Sequence, residues 1–256
     1  MANRRRRPSQ RSWSRYAAKS VVTGTAVLSP LSFGPEVWLR FADQGLADND
    51  PIATAVDQSG NGNDWTQAVA GSRPVFKTNI VNGHGVARLD GSDDFWGGPD
   101  LSALTAGEVF IVLKLDADPP LAEEQTGLWW IGADPVVLAD AVPYIDGAVY
   151  DGWGSTARKS TGDPTLSLAS AFRLYNVVSI ANEWTSFIDG TQHFTTGTNT
   201  VGFIATPWLG QSAAGASNRF LDGDIAEFVL YNRKLAAGEK TDLKTYFASR
   251  YALTIA

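Results

Sequence analysis

From Pro35 onward the chain is interrupted every few residues by turn-forming residues, and the segments between them are too short and too β-prone to be helices. With 25 Gly and 12 Pro among 256 residues, few windows stay uninterrupted for the length a helix needs. Strands are expected at Glu36–Phe41, Val86–Leu89, Gly127–Ile131, Val136–Ala139, Ala148–Trp153, Phe172–Ala181, Thr185–Ile188, Thr191–Phe194, Pro207–Gly210 and Ile225–Tyr231. Glu108–Leu115 is almost continuously apolar, so this strand is expected at the centre of a sheet with both faces covered. Asp189-Gly190 predicts a type I′ hairpin, since both of its positions need positive φ.

Only at the end does the period change. Over Ala236–Leu253, Leu243, Tyr246, Phe247 and Tyr251 fall on one stripe of a helix, which must lie against an apolar surface. Many short strands and one terminal helix make an all-β, two-sheet antiparallel jelly-roll sandwich the expected fold. The chain has no Cys, so packing has to stabilise it without disulfides or thiolate–metal sites. No apolar run reaches the roughly eighteen residues of a membrane-spanning helix.

Charge is divided unevenly along the chain. Arg4, Arg5, Arg6, Arg7, Arg11, Arg15 and Lys19 precede the first acid, Glu36, and give the leader +7. Of the 21 basic and 27 acidic residues, 14 and 27 remain beyond it, a balance of −13. The expected organisation is a basic extended arm over residues 1–34 and a jelly-roll domain over 35–256. An Arg-rich, Ser-rich stretch with few apolar residues buries too little to order itself. It is expected to dock, through Arg pairing with carboxylate or phosphate, onto other subunits of a large assembly, onto acidic protein, or, less readily, onto nucleic acid. Nucleic acid is disfavoured because the acidic body would be repelled by the same polyanion. Alternative readings are a poor secretory signal, whose apolar part is broken by Thr23, Thr25 and Pro30, a transit peptide, or a solvated tail.

Four segments then carry a resemblance: Val37-Trp-Leu-Arg-Phe with the polar loop Asp57-Gln-Ser-Gly-Asn-Gly-Asn-Asp; Ala87-Arg-Leu-Asp-Gly-Ser-Asp-Asp-Phe; Trp184-Thr-Ser-Phe-Ile-Asp-Gly; and Asp222-Gly-Asp-Ile-Ala-Glu-Phe-Val-Leu-Tyr-Asn-Arg before the helix. Over residues 36–255 the chain resembles the laminin-G-like branch of the concanavalin A-like lectin/glucanase superfamily. The resemblance implies a jelly-roll sandwich and is weakly informative about function, because unrelated sites are grafted onto such folds.

Neither a phosphate-binding Gly-x-x-x-x-Gly-Lys loop nor a Gly-x-Ser-x-Gly elbow occurs, and His84 and His193 read as turn or hairpin residues. Asp222, Asp224 and Glu227 have the spacing of a glucanase acid motif with Asp in the first place. In a regular strand Glu227 would face away from the other two, so a bulge would be needed to gather them. Asp57, Asn61, Asn63 and Asp64 are candidate calcium ligands, as are Asp90, Asp93 and Asp94, but the same residues are common turn formers. Among the nine Trp, Trp65, Trp96, Trp129, Trp153 and Trp208 lie near turns and are the candidates to stack on a sugar, with Trp65, Trp96, Trp153 and Trp208 the preferred set. The expected function is a non-enzymatic virion structural protein, phage capsid-decorating or tail-associated, held in the particle by its arm. The alternatives are a secreted or surface carbohydrate-binding module and a glycoside hydrolase. No cofactor is expected beyond a possible Ca2+.

Overall fold

A computed structural model describes residues 28–134, 140–212 and 219–256. The basic arm residues Arg4 to Lys19 and the expected strand Val136–Ala139 lie outside these described residues. The fold is an antiparallel β-sandwich with a helix on the outer face of its larger sheet.

Among the described residues the larger sheet has eight strands. Seven run in the order Thr191–Thr196, Glu183–Ile188, Arg173–Ile180, Gly107–Leu115, Asp222–Tyr231, His84–Asp90 and Val75–Val81. The eighth, Val37–Arg40, shares one edge of the ten-residue strand Asp222–Tyr231 with His84–Asp90. Asp222 to Ile225 pair with Asp90 to Ala87, whereas Glu227 to Leu230 pair with Arg40 to Val37. A register break between Ile225 and Glu227 marks the change of partner.

Gly107–Leu115 lies at the centre, as its apolar run predicts. Val109, Ile111, Leu113 and Leu115 enter the core between the sheets, while Phe110 and Val112 enter a second core beneath the helix. Helix Ala237–Tyr251 buries Leu243, Phe247 and Tyr251 there, with the Phe247 ring stacked on Phe110 at 6.1 Å. Glu239 holds the start of the helix by accepting the Ala236 N–H at 2.7 Å. The Asp189-Gly190 turn has φ of 48° and 78°, the two positive values a type I′ turn demands.

Five short strands form the smaller sheet, in the order Thr54–Ala55, Trp65–Thr66, Trp96–Gly97, Phe203–Leu209 and Trp129–Gly132. Its inward residues Trp65, Trp96, Trp129, Ile131, Phe203 and Leu209 close the inter-sheet core. The strand Val75–Val81 has no counterpart among the expected segments. It is an edge strand with four solvent-facing or half-buried residues in a row, so its apolar alternation is weak. Among the described residues no helix is long and apolar enough to cross a membrane.

Candidate functional site

Side chains alternate across a strand, so residues between the inward Trp and Leu positions of the smaller sheet face outward. Cross-strand register lines them up in one row: Thr54 opposite Thr66, Thr66 opposite Gly97, Gly97 opposite Trp208, and Trp208 opposite Trp130. Trp208 and Trp130 are both half-buried and meet edge to face with centroids 4.7 Å apart. Phe95 abuts Trp208 at 5.9 Å and Phe220 lies 6.4 Å from Phe95, so four half-buried aromatic residues gather on this face. A Cβ built on Gly97 would find no heavy atom closer than the Thr66 carbonyl at 3.8 Å. The row therefore changes from bulky rings to a bare main-chain floor beside Trp208, edged by the exposed Thr54 and Thr66.

Of the four Trp preferred from the sequence, only Trp208 is on this face. Trp65, Trp96 and Trp153 are fully buried, which corrects their expected exposure. Their strands are short and lie next to turns, but each indole points inward: Trp65 against Phe228, Trp96 against Phe41 with its N–H donated to the Ile52 carbonyl, and Trp153 between Trp129 and Phe203. Trp129 is fully buried as well. Trp130 is not among the sequence candidates, although two consecutive Trp in one strand must face opposite ways and one of them has to leave the core.

A second aromatic group surrounds a cavity of about 230 Å³ lined by Tyr144, Tyr150, Arg158 and Arg219. The Arg158 guanidinium lies 4.7 Å over the Tyr150 ring and that of Arg219 lies 5.1 Å from Tyr144. The tyrosine hydroxyls donate to Asp146 and Glu123. These ring faces are already covered by cations, so they offer less stacking surface than Trp208.

The acid motif is gathered by a bulge but not into a catalytic pair. Ala226 and Glu227 both turn to the helix side of the sheet, where Glu227 is completely buried. Its carboxylate accepts from Trp38 Nε1 at 2.5 Å, Tyr251 OH at 2.6 Å and Tyr246 OH at 3.1 Å. Asp224 instead forms a bidentate ion pair with Arg88, at 2.8 and 2.9 Å, and Asp222 accepts from Gln125 at 2.8 Å. With Glu227 sealed under the helix, these three residues do not form the open carboxyl pair that glycoside hydrolysis requires. His193 bonds Thr161 Oγ1 at 2.9 Å, and His84 packs on the Tyr251 ring.

The polar loop is organised by Asp57. Its two oxygens accept from Trp38 N, Ser59 N, Ser59 Oγ and Asn63 N at 2.6 to 3.0 Å. Asp64 accepts the Asp57 N–H, and the Asn61 and Asn63 amides donate to the Glu36 carbonyl. These side chains hold the loop to the first strand, and the oxygens of Asp57 point at protein donors and not at a common centre.

Asp90, Asp93 and Asp94 do converge, with one oxygen from each within 4.8 Å of the others. Local donors serve them: Ser92 N and Asp93 N bond Asp90, Ser72 Oγ bonds Asp93, and Asp90 N bonds Asp94. Burial, with Asp90 next in effect, pushes the Asp94 carboxyl up to about 7. An acid whose folded pKa exceeds its unfolded value stabilises the fold while protonated, and that contribution is lost as pH rises from about 4 to about 7. Asp94→Asn mimics the protonated acid. Its melting temperature relative to wild type is expected to climb between about pH 4.5 and pH 7.5, and a difference flat across that window would contradict this titration.

No protein-family model matches the chain, and no curated protein matches it in sequence. Solved structures do match in fold. Domain 4 of AbnA, a GH43 extracellular arabinanase from Geobacillus stearothermophilus solved in complex with arabinotriose, superposes with a TM-score of 0.58 at 16% identity, covering 81% of this chain and 97% of that one. Trypanosoma rangeli sialidase in complex with 2,3-difluorosialic acid gives 0.57 at 13% identity, covering 87% of this chain and 34% of the sialidase. The chain thus spans about a third of the sialidase's length. At these identities the likeness establishes a β-sandwich fold of the kind that occurs in glycan-binding and glycan-active proteins. The expectation of a non-enzymatic chain is corrected to this extent: the proteins that share the fold include a sialidase and an arabinanase. Nothing in the comparisons bears on a virion, a capsid or a tail.

Proposed function

We propose that this chain is a laminin-G-like, carbohydrate-binding β-sandwich domain that holds a glycan against the outer face of its smaller sheet. The observation that carries this reading is the row Trp130, Trp208, Gly97, Thr66. Two indoles lie in register beside a position with no side chain, so a pyranose or furanose ring can rest on the main chain with its apolar face against Trp208. Aromatic rings on an open face with hydroxyls at the edge suit a ligand that is apolar on one side and polar on the other. The fold likeness to the arabinanase domain solved with arabinotriose supports the ligand class and does not choose the sugar.

The test is an array of neutral and sialylated oligosaccharides, arabinotriose included, followed by calorimetric titration of the strongest binder. Trp208→Ala removes a half-exposed ring, so it should leave the melting temperature nearly unchanged and weaken binding at least about tenfold, a loss of roughly 1.4 kcal/mol. Absence of binding across the array, or an affinity within twofold after Trp208→Ala, would overturn the reading.

A further inference from the structure

Arg219 carries a largely buried guanidinium that makes no hydrogen bond among the described residues. Its side chain is 15% exposed, and its Nε is buried without an acceptor. The carboxylate nearest to it, Glu123, stays 3.6 Å away, beyond hydrogen-bond length, and gives its other oxygen to the Tyr144 hydroxyl. Arg173, 20% exposed, by contrast bonds the Ser167 carbonyl, Asp189 and Ser170 Oγ. A guanidinium has five N–H donors, and drawing them out of water without acceptors costs free energy.

Local strand geometry aims this side chain. Gln211–Ser212 and Arg219–Phe220 form a short ribbon, with Ser212 opposite Arg219 and Gln211 opposite Phe220. Alternation puts Arg219 on the side of Ser212, whose Oγ donates to the Asp140 carbonyl at 2.7 Å, and puts Phe220 on the other side, toward Phe95. Next to Asp140, Ala141 and Tyr150 exchange two main-chain bonds of 2.8 Å, and Tyr144 N bonds the Ala148 carbonyl at 2.8 Å. Both tyrosines are thereby brought beside Arg219. Their rings meet edge to face at 5.9 Å and, with Arg158 and Arg219, wall the cavity of about 230 Å³. Each guanidinium rests on one ring, which fixes its plane and leaves its N–H edge to a ligand. Arg158 also lies in the field of Asp134 and Asp140, so Arg219 is the stronger anion donor.

We propose that this cavity binds the carboxylate of a small ring-bearing organic acid, with Arg219 as the bidentate donor and the two tyrosines walling the ligand's ring. The planar fork of arginine matches a carboxylate, and aromatic walls with few polar groups suit a ring, whether of a sugar or of an arene. The cavity lies across the Arg219–Phe220 ribbon from the Trp208 row, and the inference does not depend on glycan binding there.

The experiment is calorimetric titration of the full chain with sodium D-glucuronate and sodium benzoate, against glucose, benzyl alcohol and sodium sulfate at matched ionic strength. At least one carboxylate should bind with a dissociation constant below about 1 mM, and the tighter of the two identifies the ring. Glucose, benzyl alcohol and sulfate should bind at least about tenfold more weakly. Arg219→Met keeps the stem and breaks no hydrogen bond, so it should melt within about 2 °C of wild type. It should nevertheless weaken carboxylate binding at least about tenfold, and Arg219→Lys, which keeps the charge without the fork, should do the same. Trp208→Ala should leave carboxylate binding unchanged, which separates this site from the glycan row. The proposal is overturned if neither carboxylate binds, or if sulfate or a neutral ring binds as tightly. It is overturned also if either Arg219 variant keeps the wild-type affinity, or if Trp208→Ala abolishes binding.

Discussion

Glu227→Ala should destabilise the domain by about 3–5 kcal/mol, because it strips three buried or half-buried donors of their common acceptor. Trp38 Nε1, Tyr251 OH and Tyr246 OH all converge on this one carboxylate, which ties the first strand and the helix to the longest strand. Alanine leaves those donors in a space that water reaches poorly, and the helix loses its polar anchor. Glu227→Gln should cost much less, about 1–2 kcal/mol, because it keeps one acceptor oxygen and nearly the same volume. Burial also raises the Glu227 pKa against the pull of Tyr251 and Trp38, so a neutral side chain is tolerated there. Denaturant midpoints of the two variants check this, and equal losses for Gln and Ala would show that the hydrogen bonds are not the cause.

Gly132→Ala is expected to be comparably damaging for a purely steric reason. A Cβ at this position would lie 1.9 Å from the Gly152 carbonyl oxygen and 2.9 Å from that of Ser155. Both obstacles are main-chain atoms, and the Gly152 carbonyl is bonded to Ser155 N at 2.9 Å. The strand Trp129–Gly132 would have to move away from the loop after Val149–Asp151. A loss of about 3 kcal/mol or more follows, seen as a fall of roughly 6–12 °C in melting temperature or as insoluble protein. Gly238→Ala is the control: a Cβ there meets nothing within 4 Å, and alanine in the helix should stabilise slightly, by about 0.5 kcal/mol. Two glycines in one chain thus predict opposite signs.

Much of the fold was legible because its signals are local. Gly107–Leu115 advertises burial on both faces by its composition, the terminal helix by its spacing, and the hairpin at Asp189-Gly190 by the two residue types that accept positive φ. The site was less legible. Proximity to turns made Trp65, Trp96 and Trp153 look like rim residues, but rim position along the chain says nothing about which face an indole takes. For Trp130 a readable clue existed in its neighbour Trp129. For Glu227 the sequence spacing allowed a shared face only with a bulge. The bulge is present, yet the helix closes over the carboxylate and excludes a substrate.

The sequence by itself determined an antiparallel sandwich with a helix, since strand alternation, turn chemistry and helical period act between residues a few positions apart. Only the tertiary structure decided which Trp face solvent and that Glu227 is covered. Those facts depend on strand register and on layers packed across long sequence separations. One step of register reverses every side chain in a strand, and no local preference specifies that step.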